Sequence, residues 1–243
     1  MTKSTARLAG IAALAIVAAA AWVAYVRFSP AGPASNAAVA PAAPPVSAEA
    51  ARAEFIRWFV AQPRLEINLS TEGATVLILK FNDFQCPPCA QSHTEYMPII
   101  KKVLAEHPGA VRYQMVDYPL ESECNPYVAL GPHAAACEAA AAVRMAWAHN
   151  RQEAMMDWLF ANQPQLTPAV VRQAAKDVGQ IPDFDKQYAP TIERIKGDIE
   201  LGHYLGIRET PTFVVNGVVL EGRFAPDYIE AVIELELQAA AAK

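Results

Sequence analysis

Clusters of basic residues are missing from this chain of 243 residues, whose formal net charge is −5. Its lysines and arginines are scattered, so no nucleic-acid surface is predicted. There is no Gly-rich phosphate loop and no Ser-His-Asp arrangement. Cysteine is scarce, with four residues in all. Two form the pair Cys86-x-x-Cys89, and Cys124 and Cys137 are too far apart to supply the second pair that a zinc site would want. His93 falls one helical turn beyond the pair, and His93, His107, His149 and His203 show no metal spacing. His133 reads as a capping or surface histidine rather than a ligand.

The pair itself carries the chemistry. It follows the apolar run Val76-Leu77-Ile78-Leu79-Lys80-Phe81, whose branched and aromatic residues predict a buried strand. After it, residues 91–107 place Tyr96, Met97, Ile99, Ile100, Val103 and Leu104 at helical spacing. Cys86-Pro87-Pro88-Cys89 therefore sits where a strand hands over to a helix. Free amides and the dipole at a helix N-terminus stabilise a thiolate on Cys86 and make it the attacking sulfur. Cys89, one turn in, closes a disulfide or resolves a mixed one. The prolines suit the entry, because the first turn leaves its amide groups unpaired anyway.

One long apolar run exists, residues 8–26, uncharged and preceded by Lys3 and Arg7. At helical rise it measures about 28 Å, close to one hydrocarbon core. Basic residues before it predict a cytoplasmic N-terminus and an exported body, with Trp22, Tyr25 and Phe28 at the outer interface. An uncleaved anchor is the expectation over residues 1–28; a cleaved signal peptide, with small residues at 18–21, is the alternative. Residues 29–48 are rich in proline and alanine and read as a tether reaching about 60 Å when stretched.

From residue 49 the composition turns to that of a fold. Residues 50–60 predict an amphipathic helix ending near Pro63, and Leu65-Glu66-Ile67-Asn68-Leu69 alternates like an edge strand. Val111 to Tyr118 predicts a second core strand, parallel to the first by a right-handed crossover. Residues 131–206 read as helical almost throughout and carry no repeat period. Thr167-Pro168 marks one helix start by the cap-then-proline rule. Trp147, Met155, Met156 and Trp158 read as core or groove packing. Thr212-Phe213-Val214-Val215, then Asn216-Gly217, then Val218-Val219-Leu220 predict a hairpin, followed by a terminal helix over 225–237.

With Cys86-Pro87-Pro88-Cys89 after the first core strand and Thr210-Pro211-Thr212 before the hairpin, this α/β arrangement resembles the thioredoxin fold. More closely it resembles the DsbA-like branch, in which a helical domain interrupts the fold. The resemblance covers residues 49–237 and places the domain at 49–243 with an insertion at about 121–206. It implies a cis bond before Pro211, with Thr210 and Pro211 flanking the active pair. Asp83-Phe84-Gln85-Cys86 and Asp117-Tyr118-Pro119-Leu120-Glu121-Ser122-Glu123-Cys124-Asn125 are similar to thioredoxin-like domains partnered with bacterial vitamin K epoxide reductase homologues. Thioredoxin-fold proteins often carry a buried carboxylate six residues before the first cysteine; here Lys80 stands there. Its ammonium either reaches the pair, favouring thiolate, or snorkels outward. Asp83 reads as a polar neighbour of the site or a turn cap.

For Cys124 and Cys137 the even count in an exported body predicts a disulfide, worth about 3 kcal/mol in the chain-entropy model; a second, shuttling redox pair is the sharper alternative. The expected function is a membrane-anchored, periplasm-facing thiol:disulfide oxidoreductase using Cys86 and Cys89, with Thr210 and Pro211 as the substrate-facing wall and no metal or organic cofactor. Expected partners are exported thiol proteins and a separate membrane redox protein: a quinone-linked oxidase of the vitamin K epoxide reductase or DsbB type, or a transmembrane reductant. The rivals are a reductase or isomerase of the same fold, for example in cytochrome c maturation, and a non-enzymatic chaperone or copper-binding module.

Overall fold

The computed structural model describes residues 47–129 and 131–242. The expected anchor at 1–28 and the linker as far as residue 46 lie outside the described residues. Among those described, no helix is long and apolar enough to cross a membrane.

Ser47 caps the first helix, α1 (Ala48–Ala61), by accepting from Ala50 N at 3.1 Å. The sheet then starts with β1 (Val76–Asn82), and every one of its residues is buried. Helix α2 (Pro87–Glu106) leads to β2 (Val111–Asp117), which pairs parallel to β1. After a helical excursion the hairpin β3 (Thr212–Val215) and β4 (Val218–Glu221) adds two antiparallel strands, and α7 (Pro226–Ala241) closes the chain. Strand order is β2-β1-β3-β4.

Being second in that order, β1 is covered on both faces, which is why it reads as a continuous apolar run. Val76 and Ile78 face a layer built from α1, α2 and α7, with Phe59, Tyr96, Ile100, Ile229 and Val232. Leu77, Leu79 and Phe81 face the inserted helices. These are α3 (Ala136–Ala146), α4 (Gln152–Ala161), α5 (Pro168–Asp177) and α6 (Phe184–Tyr204). Thr167 caps α5 by accepting from Val170 N at 3.2 Å. Arg144 of α3 donates to Asp117 at the end of β2 and to Asp198 of α6, tying the insertion to the sheet. Burial lifts the Asp117 carboxyl to about 6 despite that cation. Arg144→Met leaves two carboxylates facing each other and is expected to cost about 3 kcal/mol, measured by denaturant unfolding.

Three expectations are corrected. Residues 65–69 form no strand. Leu65 N donates to Gly217 O at 2.9 Å, but the hairpin turn ends the edge there and no ladder follows. Gly217, at φ +87°, allows that approach, since a Cβ would collide with Leu65 O. The inserted helices begin at Ala136 rather than near residue 131, because Gly131 is pressed against the backbone of Leu120 and Glu121. Trp147 is 71% exposed: a 3₁₀ turn over Trp147–His149, closed by Asn150 at φ +55°, carries it off the buried face. Met155 is buried, and Met156 and Trp158 pack against the core.

Candidate functional site

Cys86 is the N-cap of α2, with Pro87 and Pro88 filling the first helical positions. Cys89 N donates to Cys86 O at 3.0 Å, which sets the second cysteine directly behind the first. No disulfide joins the two in this structure. Cys86 keeps 4% of its surface and Cys89 none, so Cys86 is the sulfur open to solvent. The opposite wall is the cis bond Thr210–Pro211, buried at both residues. There the Cys86 thiol donates to Thr210 O at 3.1 Å.

Electrostatics split the two sulfurs. The Cys86 thiol is drawn down to about 7, first by the hydrogen bond from Cys89; burial opposes, and the Thr210 hydroxyl and the Cys89 amide assist. That hydroxyl is buried with no hydrogen-bond partner among the described residues, which leaves it free for the thiolate. The Cys89 thiol is pushed well up, first by burial and then by its bond to Cys86. The two sulfurs therefore differ in how readily each gives up its proton, Cys86 more easily than an ordinary thiol and Cys89 less.

Strand alternation puts Lys80 on the Val76–Ile78 face, beneath α2, so it does not snorkel outward. It is 1% exposed, and its Nζ donates to Cys89 O at 3.4 Å. Asp83 is both a neighbour of the site and a turn cap. Its Oδ1 accepts from Gln85 N at 2.7 Å, and its Oδ2 accepts from Leu120 N at 2.6 Å and lies 2.7 Å from His133 Nδ1. Burial lowers the His133 pKa, but the adjacent Asp83 more than restores it, so the ring holds its proton to higher pH than usual. From sequence His133 read as peripheral, 50 positions from its partner. Gln163 was not singled out at all, yet its Nε2 donates to Phe84 O at 2.8 Å and Cys86 O at 2.9 Å. No local signal marks a glutamine for such a clamp. Among the described residues His93 joins no ligand set; it is bonded to Asp157 at 3.1 Å, and its ring lies tilted against that of Phe160. Cys124 and Cys137 form a buried disulfide from the loop after β2 to α3.

A dithiol at a helix N-cap, faced by a cis-proline loop, on a thioredoxin-type sheet with inserted helices, places the chain among DsbA-like thiol:disulfide oxidoreductases. A family model described as Thioredoxin matches residues 67–235, and the chain belongs to that family. It is similar to the Disulfide bond formation protein D of Bacillus subtilis, with 25% identity over 70% of this chain and 76% of that protein. It is also similar to a Na(+)/H(+) antiporter NhaA 3 of Salinispora tropica, 29% identical over 66% of this chain but only 23% of the antiporter. Among solved structures, BdbD of Bacillus subtilis superposes with TM-score 0.50 at 25% identity, covering 73% of this chain and 93% of that one. Alpha-DsbA1 of Wolbachia pipientis gives TM-score 0.57 at 18% identity, covering 73% and 95%, and shares the fold.

Proposed function

We propose that this protein donates disulfides to exported proteins through Cys86 and Cys89, faced by Thr210 and Pro211. The observation that carries the reading is the split pair: a reachable sulfur stabilised as thiolate at a helix N-cap and a buried sulfur that keeps its proton. A stabilised Cys86 thiolate is a good leaving group, which favours handing the disulfide on. A substrate thiolate attacks Cys86 Sγ, the Cys86–Cys89 bond breaks, and its electron pair goes to Cys89. A second substrate thiolate then attacks the substrate sulfur of the mixed disulfide and expels Cys86 as thiolate. The substrate loses two electrons and the pair gains them; a separate membrane protein, quinone-linked and of the vitamin K epoxide reductase or DsbB type, takes them onward.

The same reading places the body on the periplasmic side of a single-pass anchor at residues 8–26. The Cys124–Cys137 disulfide supports it, since such bonds persist in oxidising compartments. A fusion of β-lactamase to the C-terminus is expected to confer ampicillin resistance on intact cells; sensitive cells would sink this topology.

One observation favours the reductive alternative: at about 7 the Cys86 thiol sits where thioredoxin's does, above DsbA's. The reduction potential of the full chain, equilibrated with glutathione buffers, decides between them. A value near about −120 mV supports donation, and one near about −270 mV makes the protein a reductase. Cys86→Ser is expected to abolish the transition. If it titrates like the wild type, the active pair is Cys124–Cys137.

A further inference from the structure

Lys80 occupies a place where a charge is expensive. Its strand position turns it under the first turn of α2, opposite Phe213 in the β1–β3 register. Its Nζ lies 5.8 and 5.9 Å from the rings of Phe160 and Phe213 and, among the described residues, reaches a single hydrogen-bond acceptor, the Cys89 carbonyl. An ammonium so enclosed gives up its proton readily unless a negative charge forms beside it. The charges that reach it are those of the two active-site sulfurs. Cys89, fully buried, is the sulfur that must leave as an anion when the disulfide opens. Two groups, each costly when charged alone, are thus set against each other.

We propose that Lys80 is the proton carrier for the buried sulfur, giving its proton to Cys89 when the active disulfide opens and taking it back when Cys89 attacks a mixed disulfide. In the opening step the partner's thiolate forms a new S–S bond to Cys86 Sγ, and the pair of the broken bond goes to Cys89 Sγ. A proton then moves from Nζ to that sulfur, leaving a neutral amine. In the reverse step Nζ takes the Cys89 proton, Cys89 attacks Cys86 Sγ, and the partner departs as thiolate. No further oxidant or reductant enters either step.

The neighbouring titratable groups do not supply this proton path. Tyr113 from β2 has its hydroxyl buried without a partner among the described residues, and burial first, then Cys89, pushes its proton loss up. His93, one turn along α2, is lowered by burial and engaged with Asp157. Asp83 is taken by Gln85, Leu120 and His133. Lys80 itself is lowered to about 8 by burial, within reach of proton exchange at neutral pH.

The inference rests on the exchange reading above, and one stopped-flow experiment separates the two. The reduced full chain is mixed with dithiobis-nitrobenzoate, which releases one nitrothiolate when Cys86 attacks and a second when Cys89 resolves the adduct. Absence of a first release from the wild type, or its persistence in Cys86→Ser, overturns the exchange reading. With the first release intact, Lys80→Met is expected to slow the second by about a hundredfold at pH 7 and to remove its rise through about pH 8. Lys80→Arg, which keeps the charge but releases no proton in this range, is expected to be slow as well. Lys80→Glu restores a buried proton acceptor and is expected to recover at least tenfold of the rate over Lys80→Met. A second release at wild-type speed and with the wild-type pH profile in Lys80→Met or Lys80→Arg overturns the role given to Lys80.

Discussion

The Cys89→Ser variant is expected to stop half-way through exchange, joined to its partner through Cys86. The attacking sulfur survives in this variant, and so does its helix N-cap. What is lost is the thiol directly behind it, which reaches the mixed disulfide without a diffusional encounter. Well-placed intramolecular groups attain effective molarities far above any thiol concentration in solution. Release of a bound disulfide peptide should therefore fall by at least about a thousandfold. Non-reducing electrophoresis with mass spectrometry would read the trapped adduct; rapid, complete release would remove Cys89 from the resolving role. Serine also tests the cause of the low Cys86 pKa, because its hydroxyl still donates a hydrogen bond. In Cys89→Ser the alkylation midpoint of Cys86 should stay near 7, and in Cys89→Ala it should climb toward the ordinary thiol range, since the bond from Cys89 is the largest influence lowering it.

The second large effect concerns stability. Lys80→Met is expected to make the reduced protein more stable at pH 7 by about 3 kcal/mol. The folded protein holds the Lys80 proton with a pKa of about 8, against 10.5 for a free side chain. Each unit of that difference is worth about 1.4 kcal/mol. Between these pH values the unfolded chain binds more protons than the folded one, so wild-type stability rises with pH across the window. Below about pH 8 the cost of burying the ammonium is carried in full. Methionine fills a similar volume without charge and carries none of it. The advantage of the variant should thus be flat up to about pH 8 and vanish by about pH 10.5. Denaturant unfolding of the reduced chain across that range would show it. A loss of stability in Lys80→Met would mean that the ammonium is held by something other than the two sulfurs.

Much of this architecture can be read from local pattern. The strand before the cysteines, the proline entry to α2, the Thr167 cap and the Asn216-Gly217 turn all rest on residues adjacent in the chain, and the structure has each of them. Residues 65–69 alternate as a strand does, yet a strand also needs a free neighbouring edge, and that depends on where the distant turn at Gly217 falls. The site divides in the same way. Cys86, Cys89, Thr210 and Pro211 announce themselves by spacing and resemblance. The Asp83–His133 pair and the Gln163 clamp depend on how the inserted helices lie against the β1–α2 junction, so no window of sequence contains them. Lys80 is an intermediate case. Its neighbours are apolar on both sides, which conceals which face of β1 it takes; only the register with Phe213 shows it lying under α2.

The Cys124–Cys137 bond closes the entrance to the inserted helices, and the Gln163 clamp on the active pair is delivered from within that insertion. If the protein donates disulfides as proposed, it is also a recipient of one. On the proposed topology each new copy would reach the compartment with four thiols, which can pair in three ways. Mature copies already in the compartment are then the nearest source of the first correct bond. Biogenesis of such a pool would be self-seeding: slow when the protein is scarce, and accelerating as finished molecules accumulate.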